Sequence, residues 1–333
     1  MGVLLYVLKR LGISVVLLVI ASFLVYAGVR ATVDPTAGFA NAKDPELRAR
    51  ETARLGLDKP IVEQYKSWIS DVVKGDLGEG DRDGELVTTK LKRGFEKSLD
   101  LAVWGALLAG TVGITFGIVA AIRRNRPVDY VLSGFSYFGI AIPTFAFAYV
   151  LLNAFALWLP KLFGQTDPWF YTTGNAEGRF GQDASGLWSL ESISDYARHM
   201  AMPVMVLAIQ LIASWSRYQR SSMVEALQSD YVRTAHAKGM SKFRVYSRHA
   251  FRNSEVPMVT VMALDFGFLF SGLIVTEFVF SISGMGAIFL KALDNGDATT
   301  IAGWTLLTAT FVILANLFAD LMLPIIDPRI RTQ

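Results

Sequence analysis

The chain has 333 residues, of which 52% are apolar and only 18% charged, and its mean hydropathy is +0.38. This is the composition of a membrane protein. It contains no cysteine, which excludes a disulfide framework, a thiolate metal site and a cysteine nucleophile, and a net charge of +3 is too small to argue for nucleic acid.

Lys9-Arg10 precede an uncharged run from Leu11 to Val29. Nineteen residues rise roughly 28 Å as a helix, enough to cross the hydrocarbon core. A basic start and the Ala27-Gly28 pair also fit a signal peptide, but the apolar run is longer than a usual signal core, so an uncleaved first span is expected. Residues 31–98 form a long polar segment with 12 Lys/Arg against 13 Asp/Glu. Within it Pro60 opens a helical pattern that sets Ile61, Tyr65, Trp68 and Val72 on one face and ends near Gly75. A small amphipathic helix is expected there, packed on the membrane domain or at its interface.

The second span is Leu101–Ile122, where the spacing Gly113-x-x-x-Gly117 permits close helix approach. Arg123, Arg124 and Arg126 follow. The apolar run from Tyr130 to Pro160 is too long for one straight span and carries Pro143, so a tilted or kinked helix is expected. Residues 161–198 hold 3 basic and 5 acidic residues and show no catalytic pattern. Further spans are expected at about His199–Ser216, Pro257–Phe280 and Ala298–Ile326, giving an all-α protein with six transmembrane helices. The organisation expected is a first helix over 1–30, an outer loop over 31–98, a five-helix core over 99–326 that includes an inner loop at 217–256, and a tail over 327–333. The positive-inside rule sets the orientation: Lys9-Arg10, Arg123-Arg124-Arg126, eight Lys/Arg from Arg217 to Arg252, and Arg329 with Arg331 fall on one side. Both termini are therefore expected in the cytoplasm.

The stretch Asp230–Pro257, DYVRTAHAKGMSKFRVYSRHAFRNSEVP, is a basic island between two apolar segments. Gly239 suits the left-handed residue past a helix, and Ser241 suits the N-cap of the next. A helix from Lys242 would place Arg244, Arg248 and Arg252 in one stripe and Phe243, Tyr246 and Ala250 in a second, less polar one. Such a helix is shaped to dock a partner; the plainer alternative is a basic amphipathic helix resting on anionic lipid headgroups.

No G-x-x-x-x-G-K-[ST] phosphate loop occurs, and the three histidines have no metal-ligand spacing. An enzyme is not expected. Asp265 and Glu277 fall inside the fifth span, where ionisable groups face a cavity or a partner, which makes them candidates for a translocation path.

The basic island resembles the cytoplasmic coupling loop of ATP-binding-cassette (ABC) importer permeases, in the form found in dipeptide and oligopeptide importers. The residues that carry the resemblance are Asp230-Tyr231-Val232-Arg233-Thr234-Ala235, Ala237-Lys238-Gly239, Arg248-His249-Ala250, Arg252-Asn253 and Pro257. Leu55-Gly56-Leu57-Asp58-Lys59-Pro60, Gly75-Asp76-Leu77-Gly78, Ile142-Pro143-Thr144-Phe145 and the terminal Asp327-Pro328-Arg329-Ile330-Arg331 resemble the same family. The sequence departs from it at Asp34-Pro35, where a Pro-Gly-Asp-Pro run is usual, and at Ser283, where the motif after Glu277 usually has proline.

The resemblance implies a type I importer permease with a cytoplasmic coupling helix. Its residues for coupling to the ATPase would be Asp230, Tyr231, Arg233, Ala235, Lys238, Gly239, Ser241, Phe243, Arg244, Arg248, His249, Arg252 and Asn253. It also implies partners: a second homologous permease, two ABC ATPase domains that bind ATP and magnesium, and an extracytoplasmic solute-binding protein. The chain itself would bind no cofactor. It would sit in a bacterial inner membrane and pass di- or oligopeptides. Nickel or another small solute is an alternative cargo, and a stand-alone secondary transporter or channel is a rival of a different class.

Overall fold

The computed structural model describes residues 3–32, 52–53, 56–173 and 188–326. The expectations placed on Asp34-Pro35 and on the terminal Asp327–Arg331 lie outside them. The helices are α1 (Val3–Thr32), α2 (Ile61–Val73), α3 (Val87–Ile122), α4 (Pro127–Ala141), α5 (Thr144–Leu162), α6 (Leu190–Leu227) and α7 (Asp230–Ala237). They are followed by α8, α9 (Met285–Asn295) and α10 (Ala298–Ile326). The α8 helix is composite: Lys242–Val245 continues through a π-helical stretch, Tyr246–Phe251, into Arg252–Val279 with helical dihedrals at both joints.

Among the described residues, five helical segments are long and apolar enough to cross a bilayer: Leu8–Thr32, Val87–Ile122, Thr144–Leu162, Leu190–Leu227 and Ala298–Phe318. The helices overrun the apolar stretches that announce them. The α3 helix has 36 residues and starts at Val87, inside the expected outer loop. The α6 helix has 38 residues, about 57 Å at 1.5 Å per residue. Its start is fixed by a capping box in which the Ser189 hydroxyl accepts from the Ser192 backbone N–H. Pro203 lies inside it without ending it.

The run from Tyr130 to Pro160 is not one kinked helix. It divides between α4 and α5, because Ile142 and Pro143 both take extended backbone. Proline disfavours the helical region for the residue before it and has no N–H to give to the preceding turn. The expected boundary at Pro257 also moves: α8 carries Pro257 in its interior and begins at Lys242, within the basic island.

The chain forms two compact units, residues 1–98 with 283–314 and residues 99–282 with 315–333. In the first, α2 packs its amphipathic face on α1. The Tyr65 hydroxyl lies 2.7 Å from Ser22 Oγ, and the Tyr26 and Trp68 rings stack at 5.0 Å. Past α2, Gly75 takes φ +91°, a value open to glycine at little cost. Asp297, directly before α10, accepts from the Asp81 and Thr300 backbone N–H groups, both at 3.0 Å, and lies 3.4 Å from Lys90 Nζ.

In the second unit α6 is the central helix. A Cβ on Gly117 of α3 would lie 2.5 Å from Gln219 Cβ and 2.7 Å from the Ser216 carbonyl oxygen of α6. On α4, a Cβ on Gly139 would come within 2.9 Å of Ala213 Cβ. These glycines let two backbones approach, which in lipid is a main source of helix association. Trp215, 1% exposed, fills the space among Ala109, Ala208, Ile212 and Met258.

Gly117→Ala is expected to force α3 from α6 and cost about 1–3 kcal/mol through overpacking. Gly134→Ala, with nothing within 4 Å of the added carbon, should leave the thermal midpoint in detergent unchanged or slightly raised. Equal midpoints for the two variants would refute the close-approach account.

Candidate docking site

The basic island folds as two helices joined by a tight turn. The α7 helix buries Val232 and Ala235, three residues apart, and exposes Asp230, Tyr231, Arg233 and Lys238. It ends where Gly239 takes φ +73° and its N–H donates to the His236 carbonyl at 2.9 Å, as expected of a glycine past a helix. Ser241 sits at the N-cap of α8 with extended dihedrals, but its side chain makes no capping bond. The start of α8 is instead held from below.

The apolar seam of α8 is not the one the sequence pattern suggests. Phe243 is 82% exposed, and the buried positions in the first half of α8 are Val245, Ala250, Ser254 and Met258. The step from Val245 to Ala250 is five residues and runs into the π-helical stretch, Tyr246–Phe251, whose i→i+5 hydrogen bonding widens each turn. A regular α-helix would turn Ala250 off the seam that Val245 begins. Val232, Ala235, Val245 and Ala250 bury themselves against Ala121 of α3 and Met223 and Ala226 of α6, with Ile118 and Leu227 alongside. These apolar contacts leave the polar side of both helices facing outward.

That outward side collects Lys238, Lys242, Arg244, Arg248 and Arg252, with His249 half-buried, Asn253 exposed and the Phe243 ring standing clear. Arg244, Arg248 and Arg252 are exposed at a four-residue spacing, as expected. Asn253 turns its amide back to the His249 carbonyl at 2.8 Å. Arg233 lies 3.4 Å from Asp230, a fully wet pair worth little. The result is a shelf of cations and one aromatic side chain, rigidly backed, with donors suited to carboxylates or helix C-termini on another protein.

Three joints beneath the shelf carry no strong sequence signal. Gln219 of α6, fully buried, donates to Ser254 Oγ of α8 at 3.0 Å. Ser136 of α4 and Ser216 of α6 share a buried hydrogen bond of 2.7 Å. Asp129, in the first turn of α4 and ahead of its apolar run, takes both Nε and Nη2 of Arg220 at 2.6 and 2.8 Å. It also accepts from the backbone N–H of Asn125, whose φ is +60°. The Arg220 guanidinium, foremost, holds the Asp129 carboxyl below the usual carboxylate range. Their partners lie 80 and 91 residues away in the chain for Ser136 and Asp129, beyond any periodicity that a sequence displays.

The two intramembrane acids sit differently from the shelf. Asp265 is half-buried and accepts from Trp215 Nε1 at 2.7 Å. Glu277 has no exposed surface.

Residues 113–332 match the family of binding-protein-dependent transport system inner membrane components. The chain belongs to this family. It is 33% identical to a probable peptide ABC transporter permease protein, y4tP, of Sinorhizobium fredii, covering 99% of this chain and all of that one. It is 35% identical to the dipeptide transport system permease protein DppB of Escherichia coli K12, covering 98% of each. To the oligopeptide transport system permease protein OppB of Mycobacterium bovis it is 31% identical, over 98% of this chain and 99% of the other. Among solved structures, the inward-facing MetNI methionine ABC transporter aligns with 71% of this chain and 96% of its own at a TM-score of 0.54 and 13% identity, which shows a shared fold. The helical core around α6 and the shelf both fall within the matched family region.

Replacing Asp129 with Ala strands the Arg220 charge and is expected to cost about 2–4 kcal/mol, read as a lowered thermal midpoint. Because the folded carboxyl titrates below its ordinary value, the pair contributes in full above about pH 4 and is lost as pH falls through the folded value. The gap between wild type and Asp129→Asn should therefore be constant near neutral pH and close only in acid.

Proposed function

We propose that this chain is the membrane permease subunit of an ABC importer for di- and oligopeptides, driven by ATP that partner subunits hydrolyse. The observation that carries the reading is the shelf: an exposed cluster of cations and Phe243, fixed to a buried apolar seam, on a helix that continues from Lys242 to Val279. A displacement applied at Phe243 or Arg248 moves the same rigid rod that forms the candidate fifth span. The cargo class rests on the peptide permeases that the chain resembles along its whole length.

In this reading the chain has six spans, both termini and the shelf lie in the cytoplasm, and the segment 31–98 faces outward. A second, related permease closes the passage. Two ATPase domains, which hold ATP and magnesium, receive Asp230, Tyr231, Arg233, Ala235, Lys238, Gly239, Ser241, Phe243, Arg244, Arg248, His249, Arg252 and Asn253 in a cleft. Of these, Ala235 acts by seating α7 and Gly239 by turning the chain. A solute-binding protein delivers peptide to the outer face, and the shelf margin rests against anionic lipid headgroups. Asp265 and Glu277 enter as interior supports of the passage wall: Asp265 holds Trp215, and Glu277 is enclosed.

The test is co-purification from detergent with residues 230–257 native or scrambled at constant charge. An ATPase and a second permease recovered only with the native segment support the reading; equal recovery with both overturns it. In vesicles, Gly239→Pro, which removes both the left-handed turn and the N–H donor to His236, is expected to abolish peptide uptake while insertion persists. Arg248→Glu should lower uptake at least tenfold. Normal uptake in both variants removes the docking role from the shelf.

A further inference from the structure

One side of α6 is left open by its neighbours, and that side is polar. Around most of its circumference α6 is covered: by α3 at Gly113 and Gly117, by α4 at Gly139 and Ser136, and by α8 at Met258, Asp265 and Ser254. The uncovered positions include Gln210, Ser214, Arg217 and Ser221, at steps of four, three and four. These steps keep one face of a helix over about 16 Å. An amide, two hydroxyls and a guanidinium follow one another where a lipid-facing helix would carry leucine or valine. Polar side chains within spans turn toward protein or a water-filled cavity.

A cavity of about 480 Å³ opens on the inner part of this face, between α6 and α4, and Ser133, Tyr137, Ser214, Arg217 and Ser221 are among its walls. Its two arginines are in different states. Arg220 is committed to Asp129 through two short bonds. Arg217 stands over the Tyr137 ring at 5.2 Å and, among the described residues, makes no hydrogen bond or ion pair. Asp129 thus neutralises Arg220 and leaves Arg217 as the cavity's free positive charge. A ring under one side of a guanidinium orients it and leaves its edge, with the N–H donors, open to an oxygen pair.

We infer that the face Gln210–Ser214–Arg217–Ser221 lines the aqueous passage, and that Arg217 forms a subsite for the carboxylate of a peptide in transit; Ser133, on the opposite wall, already donates to Asp129 at 3.3 Å. The inference rests on the transport reading for its cargo, but not on ATPase docking. The stripe favours a passage over a headgroup site because it continues from Arg217 to Gln210, about 10 Å further along α6 into the expected span.

The chain has no cysteine, so single cysteines can be introduced without a background in this chain. In vesicles that carry the whole complex, Gln210→Cys, Ser214→Cys, Arg217→Cys and Ser221→Cys are treated with membrane-impermeant thiosulfonates, and labelling is read as added mass on this chain. All four should react. Leu107→Cys, at an exposed apolar position of α3, and Ala213→Cys, which is fully buried, should not. At Ser214→Cys the ratio of rates for an anionic over a cationic reagent should fall about tenfold when Arg217→Gln is added. A transported dipeptide should slow labelling at 214 and 221 severalfold.

Absence of labelling at 210 and 214 would place this face against lipid or another subunit and overturn the passage. An unchanged reagent ratio would overturn the role of Arg217. Failure of the dipeptide to protect in vesicles that take it up would overturn the carboxylate subsite. Uptake by the unmodified complex, measured in the same vesicles, tests the transport reading separately.

Discussion

Hydrocarbon offers two apolar helices no gain for meeting, so a helix bundle in lipid must be held by fit. The second unit depends on that constraint. Gly117 of α3 and Gly139 of α4 bring their backbones against α6 at distances that no Cβ could share without a shift, and Gly113 of α3 leaves a Cβ only a tight 3.3 Å. Where the backbones close up, the larger side chains interlock around them, with Trp215 seated among Ala109, Ala208, Ile212 and Met258. The glycine content of α3 is thus a packing device, and the position of everything attached to α6 follows from it.

On this frame, buried polar groups act as joints between particular helices. Ser136 with Ser216 ties α4 to α6, Gln219 with Ser254 ties α6 to α8, Trp215 with Asp265 does so a turn or more further along, and Asp129 with Arg220 clamps the start of α4. Each such group would be costly if left unpaired in a low-dielectric interior, so each selects one register of one helix against another. The shelf is backed by Val245 and Ala250, packed against Met223 and Ala226.

The π-helical stretch at Tyr246–Phe251 reconciles two demands on α8. Its first residues must lie on the ends of α3 and α6, and its continuation must pack along α6 within the bundle. A five-residue step between Val245 and Ala250 keeps the buried seam continuous through that change, while Arg244, Arg248 and Arg252 stay outward. Reading the segment at a uniform α period puts Phe243 in the wrong stripe; the ring is exposed.

Much of this was legible in the residue order. The apolar runs, the amphipathic face of Ile61–Tyr65–Trp68, the glycine turn at Gly239 and the basic island are local patterns, set by periodicity, dihedral preference and charge, and a chain displays those directly. The sequence by itself therefore determined a helical membrane protein, its family and the basic island between two apolar segments. Tertiary structure decided what depends on residues far apart in the chain: that Ile142-Pro143 separates two helices, that α8 runs unbroken through Pro257, that Asp129 consumes Arg220 and leaves Arg217 free, and that one side of α6 stays open and polar. The reason is physical. Helix formation is a nearest-neighbour property of the backbone, whereas burial, pairing and exposure are set by which helices meet, and that is fixed only when the whole bundle closes.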